Sequence, residues 1–152
     1  AVLLYQLSKM RFNYSTKYNA EKEARAIGLG MRISTKHSVE VCRMLRGMEL
    51  QKAKDLLQKV LEKKVAVPYR RYRRDLGHKK GIEAGRYPEK VCKEILKLLK
   101  DVEANAQVKG LNTANLVIRH IAAHSGGKPL KHGRKRGRTA KRTHVEIIVK
   151  EK

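Results

Sequence analysis

The sequence predicts an α+β domain that carries one strongly cationic insert. Two observations lead there. Apolar residues recur with the periods of strand, helix, helix, helix, strand and strand, in that order, and no helix separates the last two strands. Between those two strands lies Lys128–Arg142, in which eight residues are Lys or Arg, and no acidic side chain occurs anywhere from 104 to 145. A segment this cationic, with Leu130 as its one large apolar residue, builds no core. It is most economically the protruding loop of an antiparallel hairpin.

Residues 1–22 show no clear period and no acid before Glu21, and read as a basic, tyrosine-bearing arm. Met10 is a candidate biological start, which would make residues 1–9 an extension. Residues 25–34 alternate: Ile27, Leu29, Met31 and Ile33 share one parity, opposite Gly28, Gly30 and Arg32, as in a half-buried strand. Ser34 stands where a helix N-cap belongs. The helix behind it runs to about Arg46, with Val41, Met44 and Leu45 on its apolar side and Gly47 as its left-handed stop.

A second helix spans about Glu49 to Glu62, with Leu50, Ala53, Leu56, Leu57 and Val60 on one face. Residues 63–87 form a long connection in which Tyr69-Arg70-Arg71-Tyr72-Arg73-Arg74 interleaves aromatics with cations. Connections this long are usually functional or disordered. Pro88 takes the first position of the longest helix, which runs to about Lys109 and stops at Gly110. Val91, Cys92, Ile95, Leu98, Leu99, Val102 and Ala106 form its stripe. Asn115–Ala123 reads as a strand whose inward face the pattern leaves open. In Thr143–Lys150, Val145, Ile147 and Val149 oppose His144, Glu146 and Lys150.

Roughly ten residues per arm between His124 and His144, at about 3.3 Å each, carry a hairpin tip on the order of 30 Å from the sheet. A two-stranded ribbon with no apolar face is not stable alone in water. The expectation is a segment mobile in the free protein and ordered by an anionic partner.

A net charge of +23 and a pI of about 10.4 point to nucleic acid before membrane. No apolar run reaches the roughly 18 residues of a membrane helix, and Ala1–Tyr5 is too short for a signal peptide. Cys42 and Cys92, without paired spacing, read as reduced, buried, small apolar residues. These features suit a cytoplasmic protein. The six histidines suggest neither metal nor catalysis: His120 and His124 share a parity but are too widely spaced along a strand to chelate one ion easily, and no carboxylate is near them in sequence. No nucleotide fingerprint or nucleophile motif is present, so no enzyme and no cofactor is expected.

Several blocks resemble a universal large-subunit ribosomal protein family, called L-twenty-two in bacteria and archaea and L-seventeen in eukaryotes. They are Met31-Arg-Ile-Ser-Thr-Lys-His-Ser38, Leu45-Arg-Gly-Met48 with Lys52-Ala53, Val67-Pro-Tyr-Arg-Arg-Tyr72, Glu83-Ala-Gly-Arg-Tyr-Pro-Glu-Lys90, Glu103-Ala-Asn-Ala106 with Lys109-Gly-Leu111, and Arg136-Gly-Arg-Thr-Ala140 with Lys141-Arg-Thr-His144. The blocks cover about residues 23–152, and the 63–87 insertion is similar to the archaeal and eukaryotic branch. The resemblance implies three helices packed on a small three-stranded antiparallel sheet with a long protruding basic β-hairpin. It implies a single RNA-binding domain over 23–152, with insertion loop 63–87 and extended hairpin 124–144.

The implied partners are large-subunit ribosomal RNA, neighbouring large-subunit proteins and, at the hairpin tip, the nascent peptide in the exit tunnel. No membrane and no homo-oligomer is implied. The residues expected on RNA are Arg32, Lys36, His37, Arg70, Arg71, Arg73, Arg74, Lys79, Lys80, Arg86, Lys128, Lys131, Arg134, Lys135, Arg136, Arg138, Lys141 and Arg142. The tunnel-lining tip is expected at Lys131, His132, Gly133, Arg134, Lys135 and Arg136. For Tyr69 and Tyr72 two readings stand, stacking on bases or packing on the domain. Two rival classes are a basic RNA-processing enzyme and a DNA-compacting protein.

Overall fold

The computed structural model describes residues 13–134 and 136–152. The expectations about Met10, residues 1–9 and Lys135 lie outside the described residues. Strand β1 (Glu23–Met31) leads into helix α1 (Thr35–Leu45) and helix α2 (Leu50–Leu61). Short strands β2 (Val67–Pro68), β3 (His78–Lys79) and β4 (Glu83–Arg86) follow. Helix α3 (Glu89–Val108), a short 3-10 turn at Thr113–Asn115, and strands β5 (Leu116–Ser125) and β6 (Thr143–Glu151) complete the order. The main sheet is antiparallel, β1-β6-β5, and three helices cover one of its faces. The α+β class is as expected.

Ile95, Leu99 and Val102 of α3 are fully buried against β1 and β6. Leu45 and Val41 of α1 meet β5, where Ile118 and Ile121 point inward. Burying each such side chain contributes about 1.5–3 kcal/mol. Val145, Ile147 and Val149 form the floor of this core, as their alternation predicts. Cys42 and Cys92 are free and buried within it, and burial pushes both thiols up to about 12.

Strand β1 corrects the sequence expectation. Its buried parity is Ala24 and Ala26, while Leu29 is 58% exposed. Alanines there leave room for α3 to bring its own large side chains to the interface. Gly28 pairs with Val145, a bulge follows before Met31 pairs with Thr143, and Gly30 takes φ +63° within it. The bulge shifts the parity, and Ile33 enters the core. A second bulge between Ile118 and His120 explains why the inward face of β5 cannot be read from simple alternation.

Both helix stops fall at the expected glycines, Gly47 (φ +79°) and Gly110 (φ +74°). Ser34 occupies the N-cap of α1, but its hydroxyl makes no cap bond. Its carbonyl accepts instead from the Ser38 N–H and hydroxyl, both at 2.9 Å. Pro88 is the N-cap of α3 rather than its first helical residue, and its carbonyl accepts from Cys92 N–H at 3.0 Å. The open edge of β5 is covered by the α1–α2 connection: Gly47 N–H donates to Ile118 O at 3.0 Å and Ile118 N–H to Met48 O at 2.9 Å. Covering an edge in this way protects it from pairing with another chain.

Candidate nucleic-acid interface

The 63–87 connection holds strand pairing that the sequence did not reveal. Val67 pairs with Arg86 and Pro68 with Gly85, while His78 pairs with Ala84 and Lys79 with Glu83, giving a small sheet of order β2-β4-β3. Strands of two to four residues are too short for any period to register. Val67 and Tyr69 plug this sheet into the domain at 0% and 2% exposure. The Tyr69 ring packs edge-on against His37 with centroids 5.5 Å apart, and its hydroxyl lies 2.5 Å from His37 Nδ1. Burial pushes the Tyr69 phenol up to about 12. Its ring therefore packs on the domain and offers no face to a base.

Beyond Tyr69 the chain is gripped from beneath. The buried carboxylate of Glu40, on α1, accepts the backbone N–H of Arg71 at 2.9 Å and of Tyr72 at 2.8 Å on Oε1, and of Arg70 at 3.3 Å on Oε2. With three backbone donors turned inward, the side chains of Arg70, Arg71, Arg73 and Arg74 stand in solvent. Arg73 adopts φ +54°, and Arg74 Nε donates to Arg70 O at 2.6 Å, closing the turn. Tyr72 is half-buried, with Arg71 5.3 Å and Lys36 5.9 Å from its ring centre. Lys79, Lys80 and Arg86 are exposed on the same small sheet.

His37 is half-buried, with its Nδ1 committed to Tyr69. Burial first, then Arg73, Arg86 and Lys141, hold its pKa below the usual histidine value, so it stays neutral among cations. Arg32 and Lys36 flank it and are exposed.

Strands β5 and β6 pair regularly as far as Ser125 and Thr143. Past that point Gly126 N–H donates to Arg142 O at 2.9 Å, Ala140 N–H to Pro129 O at 2.8 Å and Lys131 N–H to Arg138 O at 2.9 Å. Leu130 opposite Thr139 forms an isolated bridge, and Gly133 takes φ +83°. Lys128, Lys131, His132, Arg134, Arg136, Arg138, Lys141 and Arg142 are all exposed.

The cations divide into two populations. Some of those on or beside the helices are matched: Lys54 lies 2.5 Å from Glu103, Lys52 2.9 Å from Glu49, Lys64 2.7 Å from Glu62 and Lys97 3.3 Å from Glu94. Among the described residues, none of the ion pairs involves a cation of the Arg70–Arg74 turn, of Lys79–Arg86 or of the 128–142 segment.

On the sheet face away from the helices, Glu146 corrects the impression that the histidines lack a carboxylate. Its Oε1 lies 2.9 Å from His120 Nε2 and 3.1 Å from His124 Nε2. The Ser15 hydroxyl donates to the same oxygen, and Ser15 N–H donates to Oε2 at 3.2 Å. Burial alone would raise this carboxyl, but the bonds from Ser15, His120 and His124 outweigh it and hold it at about 2. Arg25 lies 4.9 Å and 4.4 Å from the rings of Tyr14 and Tyr18. The described part of the basic arm thus lies over this face, on the strand where Ile148 is buried.

Comparison with known proteins matches residues 26–150 to the family model described as ribosomal protein L22p/L17e. The chain belongs to that family. Relatives named large ribosomal subunit protein uL22 include one from Archaeoglobus fulgidus, 43% identical over 148 residues, covering 91% of this chain and 96% of the relative. One from Methanopyrus kandleri is 43% identical, covering 87% and 89%. One from Ignicoccus hospitalis is 44% identical, covering 92% and 97%. As an L22p/L17e protein the chain is a structural ribosomal protein and not an enzyme. In this L22p/L17e chain the supports that sequence reasoning missed are Glu40 and Glu146. Each is an acid embedded in a basic or apolar stretch, and that incongruity was the available signal.

Proposed function

We propose that this chain is a structural constituent of the large subunit of the cytoplasmic ribosome, bound to large-subunit ribosomal RNA through its unmatched cations. The domain of residues 23–152 docks as a unit, with the insertion 63–87 as one contact surface. Residues 124–144 extend from the sheet as a finger between RNA walls, and its tip at 131–136 lines the path of the nascent peptide. Neighbouring large-subunit proteins are its other partners, and it acts as a single copy.

The observation that carries this reading is the division of charge. The lysine–carboxylate pairs of the chain fall on or beside the helices, at Lys52, Lys54 and Lys97 among others, whereas among the described residues the cations of the turn, the small sheet and the hairpin arms are exposed and in no ion pair. Exposed cations in such density repel one another until a polyanion replaces their counterions. Arginine is suited to this because its planar fork meets phosphate bidentately. RNA shape, rather than base sequence, supplies the specificity.

Sedimentation through sucrose at moderate salt tests the assignment, combined with photo-crosslinkers placed at Arg74, Lys80 and Arg134. The expected result is co-migration with large subunits and crosslinks to large-subunit RNA. A protein that remains at the top of the gradient, or binds duplex DNA as tightly as ribosomal RNA, contradicts it.

A further inference from the structure

The 63–87 insertion holds a cavity of about 490 Å³, lined by Tyr69, Arg70, Arg74, Ile82, Glu83 and Ala84. Its size falls within the roughly 300–1,000 Å³ of small-ligand sites. The lining is mixed in chemistry. Ile82 and Ala84 are half-buried and supply apolar surface. The Ile82 side chain lies down over Gly85, where an added Cβ would meet Ile82 Cδ1 at 2.8 Å. Tyr69 is buried with its ring committed to His37, so it is wall and not a stacking surface. Arg74 is the planar group available: its Nε donates to Arg70 O at 2.6 Å, which fixes the plane of the guanidinium. Such planes stack on bases.

Glu83 is the incongruous member of the lining. It is exposed, and among the described residues it is in no ion pair, although two arginines line the same cavity. It also takes φ +60°. A left-handed backbone is disfavoured for a residue with a side chain, and conformations of this kind cluster at ligand sites. A seat for phosphate alone would be better without a carboxylate, which repels the ligand. A carboxylate instead accepts from N–H donors, and most strongly from two in parallel. Among the RNA bases guanine presents two adjacent donors, N1–H and N2–H, on its Watson–Crick edge. That edge is open to a protein when the base is unpaired and turned out of its stack.

We infer that this cavity is a pocket for one unpaired guanine. Glu83 accepts from N1–H and N2–H, Arg74 stacks on the ring, Ile82 closes the apolar side and Arg70 meets the adjoining phosphate. The inference rests on the RNA-binding reading. It adds one base-specific contact to a surface that otherwise follows RNA shape.

The test uses the full chain and short oligouridylates that carry one central guanosine, inosine, adenosine or cytidine, with isolated large-subunit ribosomal RNA alongside. Wild type is expected to bind the guanosine strand about tenfold tighter than the adenosine and cytidine strands, the range of a good bidentate contact. Inosine, which lacks the N2 amine, should fall between them. Glu83→Gln removes a negative charge, so it should bind the other strands as tightly as wild type or tighter, yet lose the guanosine preference. Asp75→Asn removes an exposed acid of the same insertion that does not line the cavity, and should keep the preference.

Equal binding of all four strands by wild type overturns the pocket, and so does a guanosine preference that survives Glu83→Gln. Strands that bind too weakly to measure, while the ribosomal RNA binds, overturn it as well. Each of these leaves the RNA-binding reading standing. A wild type that binds no ribosomal RNA overturns both. The Glu83 side chain is exposed, so the melting temperature of Glu83→Gln should hold. The wild-type ranking decides the case by itself should that variant fail to fold.

Discussion

The Glu40 carboxylate accepts the backbone N–H of Tyr72 at 2.8 Å, across thirty-two residues of sequence. The same oxygen holds the N–H of Arg71. An acid therefore organises the most basic turn of the domain body. It engages only the backbone there, so no guanidinium group of the turn is drawn into an ion pair with it.

Replacing Glu40 by Ala removes the acceptor for three N–H groups and should cost about 2–3 kcal/mol, since hydrogen bonds to charged groups contribute roughly 1.5–3 kcal/mol. Glu40→Gln keeps one acceptor oxygen and should cost less. Chemical denaturation gives the loss, and hydrogen exchange should quicken at residues 70–72 before the main sheet is affected. Unchanged exchange at those amides would show that the turn holds itself.

Glu146 makes stability depend on acid pH. Its folded pKa, about 2, lies below the ordinary 4.5. The stabilisation is therefore complete above about 4.5 and lost as pH falls towards 2. Glu146→Gln should be less stable than wild type by about 2 kcal/mol at neutral pH. The gap should narrow steadily from pH 4.5 to 2.5 in urea melts. A gap that stays constant over that range would refute the linkage.

Gly30 sits in the β1 bulge at φ +63°, where a side chain is strained. Gly30→Ala should lose roughly 1 kcal/mol and push Arg142 aside. Gly127→Ala, where an added Cβ meets nothing within 4 Å, should stay within about 0.5 kcal/mol of wild type. Thermal melts of the two variants side by side decide this.

Amides beyond the Ser125–Thr143 pair have little apolar cover. In the isolated protein, residues 131–134 and 136–138 should exchange far faster than Val145–Val149 of the core, and should become protected once RNA is bound. Equal protection of both groups in the free chain would mean that the segment needs no partner to hold its shape.

Much was legible from the sequence. Three helices, their glycine stops at Gly47 and Gly110, and the alternation of Val145, Ile147 and Val149 follow from local geometry, because periodicity and φ preference act over a few residues. The uncompensated charge of 128–142 is likewise a property of composition, and it points to a polyanionic partner without reference to the fold. The inward parity of β1 was not legible, because Ala24 and Ala26 are chosen by the proximity of α3 and Gly30 resets the alternation. Nor were the roles of Glu40 and Glu146, whose partners lie 22 to 131 residues away. Local pattern fixes which residues become helix or strand. Only packing brings a buried carboxylate to distant donors, and with it the direction in which the cations face.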